Sequence, residues 1–250
     1  MYQRLIPSIL IQGNRLVKGK FFDNHKDAGS PRTTARAHNH QGADELLVSD
    51  IKASKFNIPP NFEILKEIAK EVFMPLTFFG GISSVQLARK CMDIGADKIG
   101  LNTTAIDNPN LINSLAKQFG SQAVVLGLDI IKIDNNYFVY DHRSKKAIQD
   151  LEPLIWAKQA IDLGCGEIRI MSVDKEGSQN GFDFNIFNKM RKIANIPIIL
   201  EGGAGGLDDL EEAYDNGVNG IALGSQLVFS DSNLIKIKKH LKTKNKNIRD

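Results

Sequence analysis

Cysteine, long apolar runs and an excess of one charge are what this 250-residue chain lacks. Its two cysteines, Cys91 and Cys165, stand far apart, with no C-x-x-C pair and no histidine at ligand spacing. That excludes a disulfide framework and the common zinc patterns, so no metal site is expected. No apolar run is long enough to span a bilayer, and MYQRLIPSIL has neither the basic region nor the long apolar stretch of a signal peptide. The expectation is a cytoplasmic protein with no membrane partner. Basic residues (32) nearly balance acidic ones (29), leaving +3, and much of the excess sits in the end segment IKIKKHLKTKNKNIRD. That segment has no interleaved aromatic residues, so it is expected to be a solvated basic helix and tail, with no nucleic-acid partner. A P-loop, a dinucleotide fingerprint and a nucleophile elbow are also absent, and no cofactor is expected. The letters HNH at 38–40 lie in a helical stretch without a metal-site context and are set aside.

What is present is alternation. Short β-branched runs fall at 4–11, 45–50, 75–80, 98–103, 123–130, 167–172, 197–202 and 220–225, separated by amphipathic stretches such as FEILKEIAKEV and WAKQAIDLG. This pattern specifies parallel strands joined by crossover helices, and about eight such units in a chain of this length predict a closed (β/α)8 barrel. The chain also repeats itself. FGGISSVQLARKCMDIGADKIGLNT (79–103) matches EGGAGGLDDLEEAYDNGVNGIALGS (201–225) at a constant offset of 122 residues, and GADEL (42–46) matches GCGEI (164–168) at the same offset. One domain of two half-barrels, about 1–120 and 121–240 with a basic tail, is the organisation this implies.

Each half ends its third strand in a glycine pair, Gly80-Gly81 or Gly202-Gly203, and its fourth in a small hydroxyl residue, Thr103 after Asn102 or Ser225 after Gly224. Glycines let backbone N–H groups approach an anion, although each pair alone also fits a tight strand-to-helix turn. Two such corners on one barrel face point to a ligand with a phosphate at each end. Aligning the strands that open the halves puts Asp129 opposite Leu10, so only one half supplies a carboxylate for acid–base chemistry at the mouth. Asp50, closing ELLVSD, is a second candidate. Lys18, early in the glycine- and charge-rich loop KGKFFDNHKDAGSP, is a candidate mobile anion contact or a plain loop lysine. At the opposite strand ends, Arg4, Glu45, Lys98 and Glu167 can converge as a neutral ring on the barrel floor, either as rim salt bridges or as a gate through the axis.

Taken together, LIPSILIQGNRLVKG, GADELLVSDI, GADKIGLNT, LDIIK, GCGEIRIMSVDKEGSQNGFD and GGAGG resemble, in order and over essentially the whole chain, the cyclase subunit of imidazole glycerol phosphate synthase. The resemblance implies a glutaminase subunit docked at the N-terminal face near Asp97 and Lys98, and ammonia admitted through a gate of Arg4, Glu45, Lys98 and Glu167. It also implies a two-phosphate ribonucleotide at the top face. The chain departs from that pattern where chemistry is done. Leu10 stands where the family carries a catalytic aspartate, Phe79 replaces the first of three glycines, Met171 replaces a threonine, and Glu201 replaces a serine beside a phosphate corner. Leucine transfers no proton. The combination is similar to a paralogous branch found with surface-polysaccharide genes, which implies ammonia supply to a separate amidotransferase that makes acetamidino sugars. An active cyclase of histidine biosynthesis, with Glu201 or Asp50 replacing the missing acid, is the alternative. A phosphosugar isomerase or phosphate-binding barrel acting alone is a third.

Overall fold

Among residues 2–230 and 232–249, which this computed structural model describes, twelve strands form. They are β1 (Arg4–Gln12), β2 (Arg15–Lys20), β3 (Asp23–Gly29), β4 (Leu46–Asp50), β5 (Leu76–Phe79), β6 (Lys98–Leu101), β7 (Val124–Ile133), β8 (Asn136–Asp141), β9 (Lys146–Ile148), β10 (Glu167–Ser172), β11 (Ile198–Glu201) and β12 (Gly220–Leu223). β1, β4, β5, β6, β7, β10, β11 and β12 pair in parallel in chain order, and β12 pairs back with β1. The sheet therefore closes on itself as a (β/α)8 barrel. Successive strand residues point to opposite faces, so the barrel has two apolar regions. Phe78, Trp156 and Phe187 pack between strands and helices, whereas Ile6, Leu47, Phe79, Val125, Ile199 and Ala222 meet inside. Several crossover helices start on side-chain caps: Asp50, Asn61, Ser84 and Asp183 each accept backbone N–H bonds from the first turn that follows.

The repeat read in the sequence recurs in hydrogen bonds. Leu76 N donates to Asp97 Oδ2 at 2.8 Å, and Ile198 N donates to Asn219 Oδ1 at 3.0 Å, with donors and acceptors both displaced by the repeat offset. It recurs also in the glycines. Gly80 (φ +115°) and Gly202 (φ +93°) take a left-handed backbone, and a Cβ there would meet the carbonyl oxygens of Asp50 and Ser172 at 2.3 and 2.7 Å. Those two neighbours are again one repeat apart.

Three segments differ from expectation. The stretch read as a loop around Lys18 is the β2–β3 hairpin, an antiparallel extension of β1. A second extension, β8 and β9, follows β7 where no strand was expected. The basic end is not wholly solvated: the helix Leu234–Thr243 buries Leu234, Ile237 and Leu241, and its Lys238 donates to Asp44 Oδ1 at 3.2 Å. Asp44 also accepts from Leu5 N at 2.8 Å, so one carboxylate ties the last helix to the first strand.

In the helix Pro31–His40, His38 is buried and its pKa is pushed down to about 4 by loss of hydration. The unfolded chain takes up this proton near the ordinary 6.5, the folded chain only near 4. Stability is therefore unaffected above about pH 6.5 and falls as pH drops from there to about 4, by up to about 3 kcal/mol. Denaturant unfolding at pH 7.5 and 4.5 should show a larger difference in the unaltered protein than in His38→Gln; equal differences would rule this group out.

Candidate functional site

The site is built in layers along the barrel axis. At the N-terminal end, Arg4, Lys98 and Glu167 open β1, β6 and β10, and Glu45 precedes β4. Arg4 Nη1 donates to Glu45 Oε2 at 2.8 Å and its Nη2 pairs with Glu167. Lys98 Nζ lies 2.9 Å from Glu45 Oε2 and 2.8 Å from Glu167 Oε2, while Thr77 Oγ1 donates to Glu45 Oε1 at 2.6 Å. Cation and anion alternate around a closed ring. Burial alone would lower the pKa of Arg4, but the two carboxylates outweigh it and raise it. Asp97, beside this ring in sequence, is engaged by Leu76 N.

Above the ring lies the apolar layer, and above that a second ionic cluster. Arg169 sits two residues beyond Glu167 on β10, and its Nε donates to Glu201 Oε2 at 2.5 Å. Its Nη1 lies 4.0 Å from Asp129 Oδ1, and its guanidinium packs over the Phe79 ring, 5.3 Å from the centroid. That ring fits because β6 has no side chain at Gly100, where a Cβ would fall 2.3 Å from it. Burial favours the neutral form of Glu201, yet Arg169 outweighs this and holds its pKa below the usual range. Glu201 is therefore an anion committed to Arg169, not a spare acid. Arg169 was not among the residues singled out from sequence. The signal was available, since alternation from Glu167 turns residues 169 and 171 the same way.

At the mouth, a cavity of about 400 Å³ is lined by Leu10, Asp50, Phe79, Asp129, Arg169 and Met171, with His142 and Arg143 at its side. Asp129 accepts from Asn102 Nδ2 at 2.7 Å. Burial raises its pKa, against the opposing pull of Arg169, His142 and Asn102, which gives its carboxyl a hold on a proton that an exposed aspartate lacks. Leu10 pairs with Ser49 across β1 and β4 and offers no such group. Asp50 was a candidate acid, but its oxygens accept from Lys52 N, Ala53 N and Asn61 N at 3.0–3.1 Å. It caps a helix and braces a loop.

The two glycine corners differ. Gly80, Gly81, Asn102 and Thr103 open onto the large cavity, where Thr103 Oγ1 lies 3.3 Å from His142 Nδ1. Gly202, Gly203, Gly224 and Ser225 surround a space of about 20 Å³, shared with Lys18, Glu176 and Glu201. Lys18 is no mobile loop residue. It is buried on β2, pairs with Glu176, and its Nζ stands 3.0 Å from where a Cβ on Gly224 would lie.

Sequence comparison settles the family. The family model described as "Histidine biosynthesis protein" matches residues 4–233. The chain belongs to the histidine biosynthesis protein family. It is similar to proteins named imidazole glycerol phosphate synthase subunit HisF. The one from Chlorobaculum parvum is 40% identical over 243 residues, covering 97% of this chain and 96% of the relative. The one from Alkaliphilus metalliredigens is 40% identical over 226 residues, covering 90% and 89%, and that from Thermobifida fusca 35% over 247 residues, covering 96% of each.

Outside the mouth of this histidine biosynthesis barrel, Asp208, Glu211 and His240 lie within 4.8 Å of one another on two outer helices, where Glu211 is already 3.3 Å from Lys244. Cys91 and Cys165 are buried, with thiol pKa values pushed up to about 12 and about 11, so neither serves as a nucleophile. Among the described residues no helix is long and apolar enough to cross a membrane.

Because Arg169 and Glu201 are both buried, removing one strands the other. Glu201→Ala should cost about 3–5 kcal/mol in denaturant unfolding, while Arg169→Met combined with Glu201→Ser should cost much less. Equal losses would show that the ion pair is not the relevant unit.

Proposed function

We propose that this chain is the barrel subunit of a glutamine-dependent amidotransferase, receiving ammonia from a glutaminase docked on its N-terminal face and passing it along the barrel axis without cyclising a nucleotide itself. The observation that carries this reading is the closed ring of Arg4, Glu45, Lys98 and Glu167 across the floor. Such a ring repels no net charge and opens when one ion pair parts; the apolar layer above it then admits neutral ammonia more readily than ammonium. The Arg169–Glu201 pair forms a second constriction on the same path. Phe73, 92% exposed in the segment leading into β5 at the ring's end of the barrel, supports a docking surface there.

Cyclisation needs proton transfer on both sides of the reacting centre. Asp129 is placed for one side. Leu10 cannot serve the other, and Asp50 and Glu201 are engaged elsewhere. The resemblance to the surface-polysaccharide branch makes an acetamidino sugar, formed on a separate amidotransferase, the proposed destination of the ammonia; that step rests on the replacements at Leu10 and Glu201.

The relatives' names favour a second reading, an active cyclase subunit in histidine biosynthesis. It requires another titratable group at the mouth, and the cavity offers the imidazoles of His142, beside Thr103, and His25. A cyclase assay with free ammonium salt and the two-phosphate ribonucleotide separates the two. No imidazole glycerol phosphate from the folded chain is the expected outcome, with Leu10→Asp restoring some only if the rest of the mouth still binds the nucleotide; turnover at an ordinary cyclase rate overturns the proposal. In the same preparation, Phe73→Asp should weaken binding of the glutaminase about tenfold or more, as loss of an aromatic anchor does. Unchanged affinity would move the docking surface elsewhere.

A further inference from the structure

A buried carboxamide beside the axis has no role in the chemistry described so far. We propose that the small space lined by Ser225 and Gln226 is a holding station for one molecule of neutral ammonia, placed between the apolar layer of the barrel and its mouth. The inference deepens the ammonia reading and rests on it.

Gln226 is 1% exposed and Ser225 9%, and both line a space of about 20 Å³. Gln226 Oε1 and Nε2 and Ser225 Oγ have no hydrogen-bond partner among the described residues. A buried carboxamide left in that state has lost the hydrogen bonds that water gave it in the unfolded chain, so an occupant that restores them is favoured. Size limits that occupant to one water-sized molecule. Charge limits it further. Lys18 is paired with Glu176 and Arg169 with Glu201, all four of them buried, so the charges around the space already cancel in pairs. A neutral molecule with hydrogen-bonding groups enters without disturbing either pair, whereas an ion has to compete with one of their members. Water and ammonia both meet these terms, and position decides between them. Ala222 belongs to the apolar layer and also lines the space, while Met171 and Glu176 line both the space and the large cavity at the mouth. The pocket thus adjoins the end of the axial path on one side and the mouth on the other. Ammonia has three hydrogens and one lone pair: a hydrogen suits the Gln226 oxygen, and the lone pair suits the Ser225 hydroxyl. Held there, it stays beside the mouth instead of escaping to solvent and taking up a proton.

The test titrates the full chain, with no glutaminase present, with ammonium chloride and separately with potassium chloride at equal ionic strength. Amide correlation NMR spectra read the side-chain amide of Gln226, identified by its loss in Gln226→Met, and the backbone amide of Gly203, which lines the same space. Both signals should shift saturably with the ammonium salt and not with potassium. Half-saturation should need about tenfold less total salt at pH 8.0 than at pH 7.0, because the neutral fraction rises about tenfold per pH unit. The Gly203 response should be lost in Gln226→Met, and Ser225→Ala should weaken the Gln226 response about fivefold. Absence of a saturable shift overturns the proposal and leaves the pocket to water. An equal response to potassium overturns it in favour of a general cation site, and half-saturation that does not change with pH overturns it in favour of the ammonium ion. A folded Gln226→Met chain that keeps the Gly203 response overturns the assignment to this side chain. A negative titration removes the station alone and leaves ammonia delivery standing, whereas failure to bind a glutaminase removes the delivery without altering the titration.

Discussion

Closing eight parallel strands on themselves leaves a single axis, and every second residue of each strand must fill it. Water has little access to that axis, so any charge placed there has to be matched by its opposite within a few ångströms. The chain obeys this rule twice: Arg4 and Lys98 against Glu45 and Glu167 on the floor, and Arg169 against Glu201 and Asp129 beneath the mouth. The apolar layer of Ile6, Leu47, Val125 and Ile199 separates the two. Floor and mouth are therefore electrostatically distinct regions, with an apolar layer between them that disfavours any charged group.

The duplication supplies a symmetric frame on which the two halves have diverged. Asp97 and Asn219 brace equivalent strands, and Gly80 and Gly202 turn over equivalent backbone. At the mouth the symmetry breaks: Asp129 faces Leu10, Phe79 stands where Glu201 stands one repeat later, and only one glycine corner opens onto the large cavity. These differences work together. Phe79 packs against Arg169, Arg169 commits Glu201, and Glu201 faces the corner that Lys18 and Glu176 line. A substitution at one of these positions is consequently felt at the others, because buried charges and close-packed rings have few alternative arrangements.

Much of the architecture was legible in residue order. The alternation of β-branched runs with amphipathic stretches placed the barrel strands to within a few residues, and the offset of 122 exposed the half-barrels. The floor ring was legible because its members open strands or, for Glu45, stand immediately before one, so they fall together at one end of the barrel. Arg169 was equally readable by that rule, two residues beyond Glu167 on the same strand. The β2–β3 hairpin was harder to see. DNHKDAG has none of the apolar alternation of a strand, and it is extended because it pairs with β2, while the turn before it is held by Phe21 N donating to Glu176 O at 3.2 Å. Pairs such as Lys238 with Asp44 join residues 194 positions apart, where no local pattern operates.

The sequence by itself determined the barrel, its duplication, the ring of charges at one end and, at the other, a carboxylate in only one of the two strands that open the halves, because these follow from periodicity and residue type. Only the tertiary structure decided which charged groups are free. Asp50, Glu201 and Lys18 are as reactive on paper as Asp129, yet one is held by three backbone N–H groups, one by Arg169 and one by Glu176. A side chain's capacity for chemistry depends on the partners left to it after folding, and those partners come from strands and loops far apart in sequence that meet only when the barrel closes.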